Sequence, residues 1–304
     1  MRNKIVVILG PTVSGKTNLS IKLAKKFNGE VISADSRQVY KGLDIGAGKI
    51  TKKEMQGIPH HLLDVANLKR KFTVAQFQKL ALKAIKKIQK KGKIPFLVGG
   101  TGFYIQSIVD DIKIPEVKPD WKLRKKLEKK STEELYKTLL TLDPERAKTI
   151  DRKNPRRLIR TIEIILKTGK STSLVYGHPK SVYEYRTSKK LNSFQIGIKK
   201  SPDQLKRAIN QRLQKRLKMG MVAEVEKLHK SGLSWRRLEE LGLEYRFVAQ
   251  YLQNKLTRKG MVEILEKEIW HFAKRQMTWF KRDKRIKWIK NYKEAKKLIK
   301  KFLS

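Results

Sequence analysis

Residues 10–17 have the pattern of a phosphate-binding loop, because they read GPTVSGKT and fit G-x-x-x-x-G-K-[ST] at every constrained position. In such a loop, backbone N–H groups converge on phosphate oxygens, and the positive end of the following helix strengthens the field. The lysine reaches the terminal phosphates, and the threonine hydroxyl holds Mg²⁺. The sequence therefore predicts a site for a phosphorylated molecule and Mg²⁺, with Thr17 as the metal ligand. The residues expected to bind the phosphate groups are Gly10, Pro11, Thr12, Val13, Ser14, Gly15, Lys16 and Thr17.

A second set of polar residues follows two further apolar runs. Asp35 comes directly after the run 31–34, and Thr101 lies in the Gly-Gly-Thr-Gly turn that follows the run 94–98. An acidic residue at the carboxyl end of a strand faces the phosphate loop of an open α/β sheet, where chemistry is expected. The alternative is that Asp35 caps the next turn. The spacing alone favours neither interpretation.

Other residues of reactive type fit structural roles better. Adjacent histidines such as His60 and His61 cannot easily face one metal from a regular element, and no cysteine accompanies them. Packing or hydrogen bonding to the strand layer is therefore favoured over metal binding. Arg275 and Gln276 suit phosphate or base contacts, although the aromatic residues around them resemble a core stripe more than a stacking platform. These aromatic residues are Trp270, Phe272, Trp279 and Phe280.

The spacing of apolar residues predicts an α/β fold that would position these groups. A helix-length segment separates the first two apolar runs, so the two strands are expected to be parallel members of one sheet. The segment 74–90 repeats apolar residues at helical spacing, with lysines between them. The predicted strands are 4–9, 31–34, 94–98, 194–198 and 286–289. The predicted helices are 17–27, 74–90, 203–218, 221–252 and 264–280.

A helical insertion is predicted to interrupt this fold, because charged helical segments replace strands between 113 and 190. Its clearest helix starts at Asn154 and Pro155, a favourable cap and first-turn pair, and ends at Gly169. Three arginines lie near the start of this helix and partly on the face away from its apolar side. The residues expected on the apolar side are Leu158, Ile159, Ile162, Ile165 and Leu166.

The predicted fold class is α/β, with a parallel sheet of the P-loop NTPase type, flanked by helices, and a mostly helical insertion domain. Residues 1–112 are expected to form the first part of the core and 113–190 the insertion. Residues 191–304 are expected to form the second part of the core, which is mostly helical and ends in a basic tail. A chain of 304 residues with 39% hydrophobic content can form one large domain and a smaller one.

Composition favours a cytoplasmic protein. There is no cysteine, which excludes disulfides and cysteine metal sites. No apolar stretch approaches the roughly 20 residues that span a bilayer. The start of the chain, MRNKIVVILG, is too short for a secretory signal, and its apolar part is used by the first strand. We therefore expect a cytoplasmic monomer with no membrane partner.

The net charge of the chain favours a polyanionic partner. Its 73 lysine and arginine residues exceed its 28 aspartate and glutamate residues, which leaves a formal charge of +45 at pH 7. Such a field attracts nucleic acids. The alternative is genome composition or thermal adaptation, in which lysine and glutamate tend to rise together. Because glutamate has not risen with lysine, a nucleic-acid partner is favoured.

Seven sequence blocks occur in the order and spacing of one enzyme family, and together they cover most of the chain. The first, second and fourth blocks are the most specific. By these blocks the chain resembles the tRNA dimethylallyltransferases, also called isopentenyl-pyrophosphate:tRNA transferases. The blocks are GPTVSGKT, ADSRQVYKGLDIGAGK, PHHLLD, GGTGFYI, NPRRLIRTIEI, RLQKRLKMGMVAEV and AKRQMTWF.

The resemblance implies transfer of a dimethylallyl group from dimethylallyl diphosphate to the exocyclic N6 amine of the adenosine just 3′ of the anticodon in tRNA. The phosphate loop and Mg²⁺ would hold the donor diphosphate, and the anticodon stem-loop would be the partner. That amine is a poor nucleophile, because its lone pair is delocalised into the ring. The site must therefore stabilise the departing diphosphate and accept the proton of the amine.

The resemblance also implies roles for individual residues. Lys16 and Arg212 would stabilise charge on the departing diphosphate. Asp35 would accept the proton, and Thr101 would orient the reacting groups, so these four residues are the expected catalytic ones. The target nucleotide would leave the anticodon-loop stack to reach them. The residues implied to contact tRNA are Asp35, Ser36, Arg37, Gln38, Thr101, Arg156, Arg157, Leu158, Ile159 and Arg160.

Three alternatives use the same features. An ATP-dependent kinase of nucleotides or small molecules would also need the phosphate loop, but it leaves the Gly-Gly-Thr-Gly turn and the excess charge unexplained. A non-catalytic RNA-binding protein gated by a nucleotide would explain the charge and the loop. It gives Asp35 and Thr101 no reason to converge. An enzyme that prenylates free adenine nucleotides would not need the arginine-bearing insertion.

Overall fold

The chain folds into two compact units, one of which interrupts the other. The first unit combines Met1–Ile105 with Leu191–Ser304, and the second is Gln106–Lys190. The second unit begins inside the helix Gly102–Val109, earlier in the chain than the boundary after residue 112 that the sequence suggested. This computed structural model describes residues 3–115, 117–172 and 191–304.

The first unit is built on a six-stranded sheet in which neighbouring strands pair in parallel. The strands are β1 (Lys4–Leu9), β2 (Gly29–Ala34), β3 (His60–His61), β4 (Ile94–Gly99), β5 (Asn192–Ile198) and β6 (Lys287–Ile289). Their order across the sheet is β3-β2-β4-β1-β5-β6. The predicted parallel α/β sheet is confirmed. The first two strands belong to one sheet as expected, although β4 lies between them.

Helices account for the burial of the strands. A parallel sheet has both faces covered, so its strands are continuous apolar runs, and β4 is buried along its whole length. The described helices, in chain order, are α1 (Lys16–Lys26), α2 (Lys52–Met55), α3 (Val74–Lys90), α4 (Gly102–Val109), α5 (Trp121–Leu127), α6 (Thr132–Leu142), α7 (Pro144–Ala147), α8 (Pro155–Thr168), α9 (Pro202–Lys218), α10 (Met221–Lys230), α11 (Trp235–Glu240), α12 (Leu243–Leu252), α13 (Arg258–Lys281) and α14 (Tyr292–Leu303). None of them is long and apolar enough to cross a bilayer. Leu23 of α1 and Ile299 of α14 share a hydrophobic cluster with Phe96 of β4.

A second hydrophobic cluster of the first unit joins helices α9 to α13 to the segment 39–43. Tyr245, which is 1% exposed, is its largest fully buried side chain. The segment 221–252 is helical, as predicted, and the chain divides it into three helices. Gly232 and Gly242 have φ of 92° and 136°, a backbone region that no continuing helix uses.

The described part of the second unit is helical, as predicted, and α5 to α8 surround one hydrophobic core. The Asn154 side chain accepts the N–H of Arg157 and caps α8, which ends at Gly169 with φ 64°. The prediction that Leu166 lies on the apolar side is wrong, because it is 54% exposed in the last turn. Ile164 is fully buried instead, and the other four residues of the predicted apolar side are buried.

The two histidines at 60–61 form β3, and a buried carboxylate anchors this edge of the sheet. His61 Nε2 lies 2.7 Å from Glu30 Oε2, and Lys91 Nζ and Lys93 Nζ donate to Glu30 Oε1 at 3.0 and 3.1 Å. The prediction that these histidines pack against the strand layer is confirmed. Burial acts to raise the pKa of Glu30, but the hydrogen bonds from His61, Lys91 and Lys93 outweigh it. They lower this pKa from 4.5 to about 2.

We expect this carboxylate to make the stability of the fold depend on pH. Because the pKa of Glu30 is lower in the folded chain, its contribution is complete above about pH 4.5 and is lost as the pH falls toward 2. Glu30→Gln should lower the free energy of unfolding by roughly 2 kcal/mol at neutral pH. Urea unfolding at about pH 7 and pH 3 would measure this difference, which should shrink at the lower pH.

The control is Glu226→Gln, which removes an exposed carboxylate paired with Lys230. This variant should change the free energy of unfolding by less than about 0.5 kcal/mol at either pH. If Glu30→Gln lowered the free energy of unfolding equally at both pH values, the ionised carboxylate would not be the cause of the pH dependence.

Candidate active site

The carboxyl ends of the central strands meet at one edge of the sheet. Leu9 of β1 and Ala34 of β2 both pair with Gly99 of β4, so the three following turns leave the sheet side by side. The N–H of Thr101 donates to the carbonyl of Ala34 at 3.2 Å. Thr101 Oγ1 accepts the N–H of Ser36 at 3.1 Å. The turn after β2 is thereby bonded to the turn after β4.

The phosphate loop connects β1 to α1 at the same edge. Gly10, Val13 and Gly15 have φ of 151°, 54° and 95°, which curves the backbone sharply. Helix α1 begins one residue earlier than predicted, and its N-cap residue, Gly15, has no side chain to bond the first N–H groups. Lys16 Nζ donates to the carbonyl of Pro11 at 2.6 Å, so the lysine folds back over the loop.

Two cations and one carboxylate influence one another in this site. Burial, and then the positive charge of Arg212, lower the pKa of Lys16 to about 7, although Asp35 acts to raise it. Burial and the neighbouring Arg216 also lower the pKa of Arg212. Glu244 and Asp35 oppose that shift, and a guanidinium stays protonated at neutral pH. An anion bound among these cations would restore the charge on Lys16.

Asp35 caps a turn, which is one of the two interpretations that its spacing left open, and its charge also reaches the phosphate loop. Its Oδ1 accepts the N–H groups of Arg37 and Gln38 at 2.8 and 3.3 Å, so it caps the turn after β2. Its charge also acts on Lys16 and Arg212. Among the residues that the structure describes, Oδ2 makes no hydrogen bond. One carboxylate oxygen therefore holds the turn, and the other takes no part in it.

Arg216 is a buried arginine close to Arg212 that sequence reasoning missed. It is 5% exposed, and its Nη1 donates to Glu244 Oε1 at 2.8 Å. Its Nη2 is buried with no hydrogen-bond partner in the described part of the chain. A Cβ built on Gly48 would lie 1.8 Å from Nη2, so a larger residue there would displace the guanidinium. The available signal was the spacing of four from Arg212, which puts both arginines on one face of α9.

A carboxylate that was also missed holds the segment 44–47 beside the site. Glu224 accepts the N–H groups of residues 44–46 at 2.7 to 3.1 Å, and Tyr245 Oη accepts the N–H of the next residue. Gln38 Nε2 donates to the carbonyl of Gly48 at 3.1 Å. Gln38, which was predicted to contact RNA, is therefore hydrogen-bonded to backbone directly after a segment that the helical cluster fixes in place.

The residues at the loop fit Mg²⁺ bound together with a diphosphate. Within the described ranges no three His, Asp or Glu side chains are grouped to hold a metal on their own. Mg²⁺ commonly takes only one or two protein ligands, with substrate phosphates and waters completing its shell. Thr17 lies exposed in the first turn of α1, and Ser14 Oγ is buried without a hydrogen-bond partner among the described residues. Thr17 would be the protein ligand of this ion.

The arginines of α8 divide into two kinds within the second unit. Arg156 and Arg157 are exposed. Arg160 donates to Glu163 Oε2 at 2.5 Å and to a backbone carbonyl at 3.0 Å, so it is held within the unit. The expectation that Leu158 and Ile159 contact RNA is wrong for their side chains, which are 0% and 7% exposed in the core. Of these three arginines, Arg156 and Arg157 are therefore the ones whose charges are exposed.

Helix α13 begins before the predicted residue 264, and its aromatic residues are less buried than the predicted core stripe requires. Phe280 is buried as expected, but Phe272 is 39% exposed and the two tryptophans are half-buried. Gln276 is 8% exposed and its amide bonds to backbone groups of the first unit, so the expected phosphate or base contact is wrong for this side chain. Arg275 beside it is exposed.

A parallel sheet whose first strand leads into a phosphate loop, with polar groups converging at its carboxyl edge, defines a P-loop α/β protein. The family model described as IPP transferase matches residues 38–283. The chain belongs to this family.

Relatives over nearly the full length agree with this membership. The chain is 41% identical to a tRNA dimethylallyltransferase of Anoxybacillus flavithermus, over 95% of this chain and 90% of the relative. It is 34% identical to the solved tRNA isopentenylpyrophosphate transferase of Bacillus halodurans, with a TM-score of 0.71 and coverage of 99% and 96%. A eukaryotic dimethylallyltransferase solved acting on tRNA gives a TM-score of 0.77 at 30% identity, covering 91% of this chain and 69% of that one. These relatives do not favour the kinase alternative.

Proposed function

We propose that this chain transfers a dimethylallyl group from dimethylallyl diphosphate to the exocyclic amine of the adenosine 3′ of the anticodon in tRNA, releasing diphosphate. The observation that carries the proposal is the grouping of Lys16, Arg212 and Asp35. Two cations are available for a leaving diphosphate, and a carboxylate is available for the proton of the amine. The names of the relatives support the same reaction.

The donor reacts only if the negative charge of its leaving diphosphate is stabilised. The amine nitrogen forms a bond to the allylic carbon while the bond from that carbon to the diphosphate oxygen breaks. Lys16, Arg212 and the loop N–H groups stabilise the negative charge that develops on the departing oxygen. Thr17 would hold Mg²⁺, which would supply further neutralisation of the diphosphate charge.

The acceptor amine must lose a proton and must be oriented toward the donor. As carbon–nitrogen bonding proceeds, one proton of the amine passes to the free carboxylate oxygen of Asp35. Thr101, whose hydroxyl contacts the turn that carries Asp35, orients the reacting groups. Ser36, Arg37 and Gln38 follow the base and contact the target nucleotide after it leaves its stack.

The anticodon stem-loop binds through its phosphates in this proposal. Arg156 and Arg157 are exposed and make these contacts, and the +45 charge of the chain favours the encounter. A tRNA substrate implies a cytoplasmic enzyme. The grouped residues Lys16, Asp35 and Arg212 need no second copy of the chain, and we infer a monomer.

We expect the two exposed arginines to determine part of the salt dependence of RNA binding. Arg156→Gln and Arg157→Gln should each reduce the slope of log K against log salt by about 1 and weaken binding several-fold. The reason is that each phosphate contact releases about one counterion. Fluorescence anisotropy of a labelled anticodon stem-loop over a salt series would measure the slope.

Lys300→Gln is the control, because it removes an exposed charge of α14 outside the proposed contact set. Its slope should match that of the unchanged chain. Equal slopes for all three variants would mean that the α8 arginines do not contact phosphates.

Mass spectrometry tests the reaction itself. A synthetic anticodon stem-loop with adenosine 3′ of the anticodon is incubated with the protein, Mg²⁺ and dimethylallyl diphosphate, with ATP as a parallel donor. A prenyl mass gain on that adenosine, absent without the prenyl donor, is the expected result. No gain with the prenyl donor, together with formation of ADP from ATP when a nucleoside acceptor is added, would overturn the proposal in favour of a kinase.

A further inference from the structure

The Gln276 side chain joins two turns that follow different strands. Its Oε1 accepts the N–H of Thr12 in the phosphate loop at 2.8 Å. Its Nε2 donates to the carbonyl of Gly100, in the turn after β4, at 2.9 Å. With only 8% of its surface exposed, Gln276 makes both bonds away from water, where they are strongest. One buried amide therefore fixes the spacing between the loop and the turn.

The turn after β4 is shaped around the same helix. A Cβ built on Gly100 would lie 2.4 Å from Gln276 Nε2, and one built on Gly102 would lie 2.3 Å from Trp279 Cδ1. A larger residue at Gly100 would displace the Gln276 amide, and one at Gly102 would displace the Trp279 ring. Thr101 stands between these two contacts, and its hydroxyl accepts the N–H of Ser36. The face of α13 that presents Gln276 and Trp279 thereby sets the position of Thr101.

We propose that Gln276 is a positioning residue that sets the distance between the donor diphosphate and the acceptor amine. The proposal rests on the proposed function, because the phosphate loop holds the donor there and the turn with Thr101 orients the acceptor. Bond formation requires the reacting atoms to be held about 3 to 3.5 Å apart, and an error of about 1 Å can cost roughly 10²-fold in rate. Gln276 supplies this constraint without touching either substrate.

Two substitutions separate the two bonds of the amide. Gln276→Met keeps the length of the side chain and removes both bonds. Gln276→Glu keeps an acceptor for the N–H of Thr12 but loses the donor to the carbonyl of Gly100. The matched control is Gln195→Met, which changes another buried glutamine of the first unit, 4% exposed and bonded to Asp283 instead of the loop.

The measurements are kcat, KM for each substrate, the Kd of inorganic pyrophosphate with Mg²⁺, and hydrogen exchange of the Thr12 amide. Gln276→Met should lower kcat by roughly 10²-fold and raise the Kd of pyrophosphate several-fold. It should also speed the hydrogen exchange of the Thr12 amide. Gln276→Glu should lower kcat by a similar factor while pyrophosphate affinity stays within about twofold, because the loop bond is kept. KM for the stem-loop should be unchanged in both variants. Thermal unfolding identifies any variant that fails to fold.

The outcomes distinguish this inference from the reaction it serves. If the unchanged chain transfers no prenyl group, the proposed function fails, and the pyrophosphate and exchange measurements still decide whether Gln276 fixes the loop. If the unchanged chain is active and Gln276→Met behaves like Gln195→Met in kcat, Kd and exchange, the positioning role is overturned. Equal loss of stem-loop binding and kcat would also overturn it, in favour of an RNA contact.

Discussion

Asp35→Asn is expected to lower kcat by about 10²- to 10⁴-fold while leaving the affinity for the anticodon stem-loop unchanged. Asparagine keeps an oxygen that can accept the N–H groups of Arg37 and Gln38, so the turn after β2 should persist. It cannot take up a proton from the amine. The substitution therefore removes the base and leaves its structural role intact. Single-turnover prenyl transfer with saturating donor and RNA measures the effect on chemistry alone.

The control for this variant is Asp203→Asn, an exposed carboxylate in the first turn of α9. It should transfer the prenyl group at the normal rate. A near-normal single-turnover rate for Asp35→Asn would mean that another group, or water, accepts the proton. A loss of RNA binding equal to the loss of rate would instead indicate that the turn had collapsed.

Lys16→Met is the second substitution with a large expected effect. Methionine has a similar length and can fill the space over the loop, where Lys16 Nζ now donates to the carbonyl of Pro11. It has no charge to stabilise the leaving diphosphate. We expect kcat/KM for the donor to fall by roughly 10³-fold, or about 4 kcal/mol of transition-state stabilisation. Steady-state kinetics with varied dimethylallyl diphosphate at saturating RNA would measure it.

Lys22→Met provides the matched control on the same helix, because Lys22 is exposed and lies beyond the first turn of α1. It should leave kcat/KM within about twofold of the unchanged chain. If Lys16→Met changed KM for the donor but not kcat, the lysine would bind the ground state and the transition state equally. The assignment of Lys16 to the leaving group would then be wrong.

Features with a local signal could be predicted from the sequence. Buried strands such as β1 and β4 are continuous apolar runs, and the parallel sheet follows from the helix-length segments between strands. The phosphate loop and the polar residues after β2 and β4 could be located because they directly follow those runs. Parallel strands end at one edge, so their convergence required no knowledge of distant contacts.

Features that depend on distant partners could not be predicted. Gln276 lies 264 positions after Thr12, and Glu224 lies 179 positions after Ile45, so no periodicity links either pair. The sequence places Gln276 within a basic and aromatic stretch, where its amide would also suit a phosphate or base contact. The structure gives its amide two backbone partners instead, because α13 packs against the turn after β4.

The error at Leu158 and Ile159 has a different origin. A family block was carried over as a continuous segment, whereas α8 turns by about 100° per residue and presents only some positions to solvent. The segment that supplies Arg156 and Arg157 to the surface therefore supplies the next two residues to the core. The prediction that α8 has an apolar face and an exposed face is confirmed, but Leu166 lies on the exposed face and not on the apolar one.

The interruption of the first unit by the second determines how the chain can fold as it leaves the ribosome. β1 lies between β4 and β5, and β5 is encoded only after Gln106–Lys190. The strand that leads into the phosphate loop therefore stays an open edge, with unpaired N–H and C=O groups, until about two thirds of the chain has emerged. The second unit has a hydrophobic core of its own and is complete earlier. The unit whose synthesis begins first is thus the one that closes last.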